Sequence, residues 1–211
     1  MIYFQKQEDK ERQITGLEKT HSNIIHFFFI QMELCRETLE EYLKNNTERD
    51  KVKALNIFEQ IVKGLAFLHA QNMVHRDIKP ANILFALTNN DSDICVRIAD
   101  FGFVREVGNS SSIQVAGTFL YMAPEIGGRK YDAKVDMYSA GLILLELLYN
   151  CCGENHDDIL IRATRNRFPD AFDTELKLKF AQPVMQKLLS CVSSERPTSH
   201  ELLEILSDWV S

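Results

Sequence analysis

Met73-Val74-His75-Arg76-Asp77-Ile78-Lys79-Pro80-Ala81-Asn82-Ile83-Leu84, with Ala99-Asp100-Phe101-Gly102 a short distance on, decides how the rest of this 211-residue chain is read. It gathers a carboxylate (Asp77), a cation two residues later (Lys79), an amide (Asn82) and a second carboxylate (Asp100). Phosphoryl transfer asks little covalent chemistry of a protein. It needs a carboxylate to orient the attacking hydroxyl, a cation near the transferred group and hard oxygen ligands for magnesium. In this segment Asp77 is the candidate base, Lys79 the cation, and Asn82 and Asp100 the candidate metal ligands.

Outward from that stretch, Ile83 to Leu87 and Ile94 to Ile98 are short apolar runs on either side of the turn Thr88-Asn89-Asn90-Asp91-Ser92-Asp93. The pattern predicts a hairpin that brings Asn82 and Asp100 together. Upstream, Val52, Leu55, Phe58, Ile61, Val62, Leu65 and Leu68 recur at three- and four-residue steps and predict a long amphipathic scaffold helix.

His75-Arg76-Asp77-x-Lys79-x-x-Asn82, Asp100-Phe101-Gly102 and Ala123-Pro124-Glu125, in that order, resemble the eukaryotic protein kinase signature. A lone Asp-Phe-Gly would more simply be a capped turn; the ordered set is far more specific. Lys79 and Thr118 resemble the serine/threonine branch. Phe29-Ile30-Gln31-Met32-Glu33-Leu34-Cys35, with Thr38-Leu39-Glu40 after it, is similar to the kinases of the translation initiation factor 2 alpha subunit.

The resemblance implies an α+β, protein-kinase-like fold: a mainly helical C-terminal lobe over 36–211, preceded at 1–35 by a remnant of the small N-terminal lobe with its hinge strand. It implies ATP and Mg2+ as cofactors and transfer of the γ-phosphate to a serine or threonine. Asp77 would orient the hydroxyl, Lys79 would stabilise charge, and Asn82 and Asp100 would hold the metal. Met32 would be the gatekeeper, the backbone of Glu33 and Cys35 would meet the adenine edge, and Leu84 would lie beneath the ring. His75 and Phe101 would pack, Asp136 would hydrogen-bond the catalytic-loop backbone, and Glu125 with Arg196 would form a buried ion pair. The implied partners are a protein substrate, with the initiation factor 2 alpha subunit as the specific expectation, and a kinase dimer partner, in a cytoplasmic setting.

Residues 9–30 read as a polar helix giving way to a β-type run, with Gln13, or Glu11 in a shifted register, where the family pairs a glutamate with an ATP-orienting lysine. Before residue 9 there is neither Gly-x-Gly-x-x-Gly nor a Val-Ala-Ile-Lys-type strand, and Lys6 and Lys10 read as solvated. The expectation is an N-terminally truncated kinase lacking the lid over the phosphates. Its alternative is a catalytically impaired kinase or pseudokinase acting as a binding module.

Between Asp100 and Glu125 the aperiodic segment with Gly108-Asn109-Ser110-Ser111-Ser112 at its centre suits an activation loop. Ser112, then Ser111, are the candidate phosphosites, with Arg76 as the partner of the added charge. A solvated linker is the alternative.

The remaining expectations are local. Ile30 to Cys35 reads as a strand breaking at Arg36, and Thr38 with Glu41 as a capping box for a helix to about Asn45. Leu142 to Leu148 is apolar almost all round and belongs in the core. Asp157 to Phe168 and Glu175 to Leu189 are predicted helices separated at Pro169, and Thr198 with Glu201 caps a last helix ending near Val210. Arg162, Arg165 and Arg167 form a basic helix face, open either to an acidic partner or simply to solvent.

Composition narrows the classes. A formal charge of −6 without a basic block argues against direct nucleic-acid binding. The five cysteines, Cys35, Cys95, Cys151, Cys152 and Cys191, lack zinc-ligand spacing and suit a reducing intracellular compartment. Ile24 to Ile30, the longest apolar run, is interrupted by His26 and too short for a bilayer, and the charged N-terminus does not read as a signal peptide.

Overall fold

The computed structural model describes residues 31–90, 93–107, 119–128, 131–153 and 155–210. The chain divides into two compact units, Met1–Leu34 and Cys35–Ser211. Residues 31–34 are described from the first, and they contain no helix and no strand of two or more residues. The predicted small-lobe helix, with Gln13 and Glu11, and the phosphosite candidates Ser111 and Ser112 lie outside the described residues.

The second unit opens with β1 (Cys35–Thr38). The strand therefore begins where it was expected to end. Cys35, Glu37 and Thr38 pair with Ala86, Phe85 and Leu84, so cross-strand pairing recruits Arg36 and Glu37 despite their charge. Thr38 closes β1 and caps α1 (Leu39–Asn45), its hydroxyl accepting from the Glu41 amide while the Glu41 carboxylate accepts from the Thr38 amide. Next, Asp50 caps α2 (Lys51–Ala70) by accepting from the amides of Val52 and Lys53.

After β2 (Met73–Val74) come β3 (Ile83–Ala86) and β4 (Val96–Ile98), the predicted hairpin, with Ile83 opposite Ile98. The sheet order is β1-β3-β4, and β2 pairs separately with β5 (Arg105–Glu106). Gln60 of α2 clasps the hairpin, donating to the Ile94 carbonyl and accepting from the Val96 amide.

At the centre lies α3 (Lys134–Leu148), every residue of which from Val135 on is buried. It packs on α2, which also carries α8 (Ser199–Val210). Gly141 lets α3 approach α7 (Gln182–Leu188): a Cβ there would stand 2.8 Å from the Cβ of Leu188. As expected, Thr198 and Glu201 form the capping pair of α8.

Two predicted helices differ. α4 (His156–Ala163) stops well before Phe168, because Asn166 adopts a left-handed backbone (φ 63°) and the amides of Asn166 and Arg167 turn back to Ala163 and Arg162. The span from 175 to 189 is broken into α6 (Leu176–Lys179), preceded by α5 (Ala171–Thr174), and α7. Pro183 explains the break: it lacks an amide and sits in the first turn of α7, where none is needed.

Candidate active site

The catalytic loop is shaped by a carboxylate it does not contain. Asp136, fully buried in the first turn of α3, accepts from the amides of His75 and Arg76, each at 2.8 Å. This grip accompanies a left-handed backbone at Arg76 (φ 69°), which a non-glycine residue adopts only when its surroundings insist. His69, unremarked in the sequence, approaches the same carboxylate at 3.0 Å through Nε2, while its Nδ1 lies 3.2 Å from the Ser199 hydroxyl. Asp136 thus does what was expected of it.

His75 is buried, its Nε2 3.0 Å from the Ala99 carbonyl and its ring edge-on to Phe101 at 5.4 Å. Donation from Nε2 leaves Nδ1 to accept from the Asp77 amide at 3.4 Å, one consistent neutral tautomer. The histidine is a packed strut between the loop and the Asp-Phe-Gly turn.

Asp77, Lys79 and Asn82 are brought together. The Asp77 carboxylate accepts from Lys79 Nζ and from Asn82 Nδ2, each at 2.9 Å, and Asn82 also donates to the Asp77 carbonyl at 2.8 Å. Asp77 and Lys79 remain partly open, with side chains 14% and 19% exposed, whereas Asn82 is buried. The Ala99 amide donates to the Asn82 carbonyl at 2.8 Å, so the hairpin delivers Asp100 one residue beyond the partner of Asn82. Asp100 is exposed, also left-handed (φ 62°), and accepts from the Gly102 amide.

This donor chemistry fits magnesium. With its amide hydrogens committed to Asp77, Asn82 has only a neutral oxygen left to offer, and Asp100 adds a carboxylate. Two hard oxygens suit an ion that keeps water and phosphate for its other positions. Among the described residues no three His, Cys, Asp or Glu side chains are grouped to cage a metal.

Leu84 sits half-buried on β3 opposite Thr38, and Cys35 pairs with Ala86 on the same edge. Glu33 and Met32 belong to the first unit. Arg76 donates to the Phe103 carbonyl at 2.6 Å and to the Tyr131 hydroxyl at 2.8 Å, the latter a partner the sequence did not reveal. The expected pair of Glu125 and Arg196 is bidentate, at 2.8 and 2.6 Å, and Arg196 is buried over the Tyr138 ring. The three arginines do not share a helix face: Arg162 lies on α4, while Arg165 and Arg167 follow its end.

A second buried carboxylate, Glu146, lies near the other end of α3. Its two oxygens receive the Tyr121 hydroxyl and His156 Nε2, each at 2.8 Å. Burial first, and then the charge of Glu146, push the Tyr121 phenol far above its ordinary value. The bond to Glu146 raises His156 to about 9, against the opposing effect of burial and with help from Asp157. These groups line a cleft of about 510 Å3 bordered by Lys79 and Pro80 of the catalytic loop. The one clue in the sequence is a lone charge, Glu146, inside an otherwise apolar run.

The protein kinase domain family matches residues 5–209. The chain belongs to that family. It is 35% identical over 190 residues to the interferon-induced, double-stranded RNA-activated protein kinase of Rattus norvegicus. It is 34% identical over 198 residues to eukaryotic translation initiation factor 2-alpha kinase 3 of Bos taurus, and 30% identical over 233 residues to eIF-2-alpha kinase GCN2 of Homo sapiens. These matches take in 86%, 84% and 95% of this kinase chain but span only 35%, 17% and 14% of the relatives. Among the described residues no helix is long and apolar enough to cross a membrane.

Proposed function

We propose that this chain carries the catalytic half of a serine/threonine kinase acting on the initiation factor 2 alpha subunit, with ATP and magnesium. One observation carries the reading: Asp77, Lys79 and Asn82 form a closed hydrogen-bonded cluster beside the hairpin that delivers Asp100. In this role Asp77 accepts the hydroxyl proton and Lys79 balances the charge of the transferred group. Asn82 and Asp100 hold magnesium, which when bound neutralises phosphate charge. Cys35 and Leu84, on the paired strands β1 and β3, serve the adenine. The substrate class is supported by the likeness to kinases whose names specify that factor.

Assay of magnesium-dependent phosphate transfer from ATP to the alpha subunit tests it. Asp77→Asn should lower turnover by about 100- to 10,000-fold, the range general-base catalysis supplies. Equal near-zero signal from both proteins would favour the second reading, a binding module that engages substrate or a full-length kinase without turnover.

A further inference from the structure

We infer that His156 is a positioning residue for the substrate-binding segment, holding Tyr121 in place through Glu146. This rests on the kinase reading above and extends it to a residue outside the motifs. Tyr121 follows directly on the segment leading from Asp100 and precedes Ala123-Pro124-Glu125. It is fixed at two points on one face of α3, where its carbonyl accepts from the Ser139 hydroxyl at 2.8 Å and its own hydroxyl donates to Glu146.

The second point is strongest while Glu146 is an oriented anion. The carboxylate is 7% exposed and close to the C-terminal end of α3, where the helix dipole disfavours negative charge. The neighbouring Cys151 thiol is pushed up by burial and so stays neutral, adding no second negative charge beside Glu146. Arg49 comes near, but its guanidinium meets the backbone carbonyls of Glu146 and Leu43 rather than the Glu146 carboxylate. Of the cations lining the cleft, Lys79 is paired with Asp77 and Lys44 with Glu40 on α1. Asp157, 77% exposed, adds a screened contact to the other ring nitrogen of His156. Among the described residues His156 is therefore the cationic side chain in direct contact with the Glu146 carboxylate. Removing it leaves a buried carboxylate without its charged partner, which loosens the orientation in which it holds the Tyr121 hydroxyl.

Two measurements on the full chain test this separately. Proton NMR of the His156 ring should give a midpoint near 9 that falls toward 6.5 in Glu146→Gln; a midpoint near 6.5 in the unaltered chain overturns the inference, whether or not the protein turns over ATP. In the transfer assay, His156→Gln should raise KM for the alpha subunit about tenfold, the weight of one charge-assisted hydrogen bond, and leave KM for ATP unchanged. His156→Lys, which keeps a cation, should recover part of the loss. Equal KM values for the alpha subunit in wild type and His156→Gln from pH 6.5 to 9 refute it. Absence of turnover in wild type would count against the kinase reading alone, since the NMR midpoint still decides the role of His156.

Discussion

The two ends of α3 carry buried carboxylates that solve the same problem with different materials. Asp136, in the first turn, has the helix dipole in its favour and accepts from two backbone amides. Glu146, near the last turn, lies against the dipole and depends on two side chains, Tyr121 and His156. His69 also reaches Asp136, but the two amides do not titrate and cannot turn away, so the catalytic-loop end is a fixed joint. The substrate-segment end is adjustable by pH and by mutation.

The largest expected effect is at the fixed joint. Asp136→Ala leaves two buried amides and His69 without their acceptor and should cost about 3 to 5 kcal/mol in urea denaturation, with loss of transfer activity. A small loss would mean that the backbone amides are satisfied some other way, and the contrast would fail. Glu146→Gln at the adjustable end should cost less, about 1 to 3 kcal/mol, because a neutral amide oxygen still accepts from one neighbour.

The comparison also predicts a pH dependence. His156 binds its proton more tightly folded, near pH 9, than unfolded, near 6.5. Its stabilisation is fully present below about pH 6.5 and is lost as pH rises through about 9. Thermal melts of wild type should fall across that window more steeply than those of His156→Gln, and parallel curves would remove the charge from the argument. Smallest of all, Thr198→Ala should cost about 1 kcal/mol at the start of α8, far from either joint, and should leave the slope with pH unchanged.

What the sequence made legible was local or motif-borne. Thr38 with Glu41 and Thr198 with Glu201 cap their helices because the interacting groups are three residues apart and need no tertiary context. Asp77, Lys79 and Asn82 could be grouped because one loop carries all three. Asp136 and the Glu125 and Arg196 pair were readable only through likeness to a family, since their partners lie some 60 and 70 residues away. Elsewhere the helix bounds differ. Pro183, inside the helix predicted over 175–189, is a start signal that places it in the first turn of α7, and Asn166 ends α4 by taking a left-handed conformation that composition alone does not reveal. Charged Arg36 and Glu37 joined a strand because pairing with β3 outweighs intrinsic preference. His156 was missed because nothing local links it to Glu146.

Gln60, whose amide spans Ile94 and Val96, gives the hairpin an anchor independent of its tip. The alignment that sets Asn82 beside Ala99 is thus fixed from the helix side and does not depend on how many residues make the bend near Asn89 and Asn90. A reporter sequence or a purification tag spliced there would hang outside the clasp, offering a handle on this protein that spares the chemistry at the hairpin's opposite end.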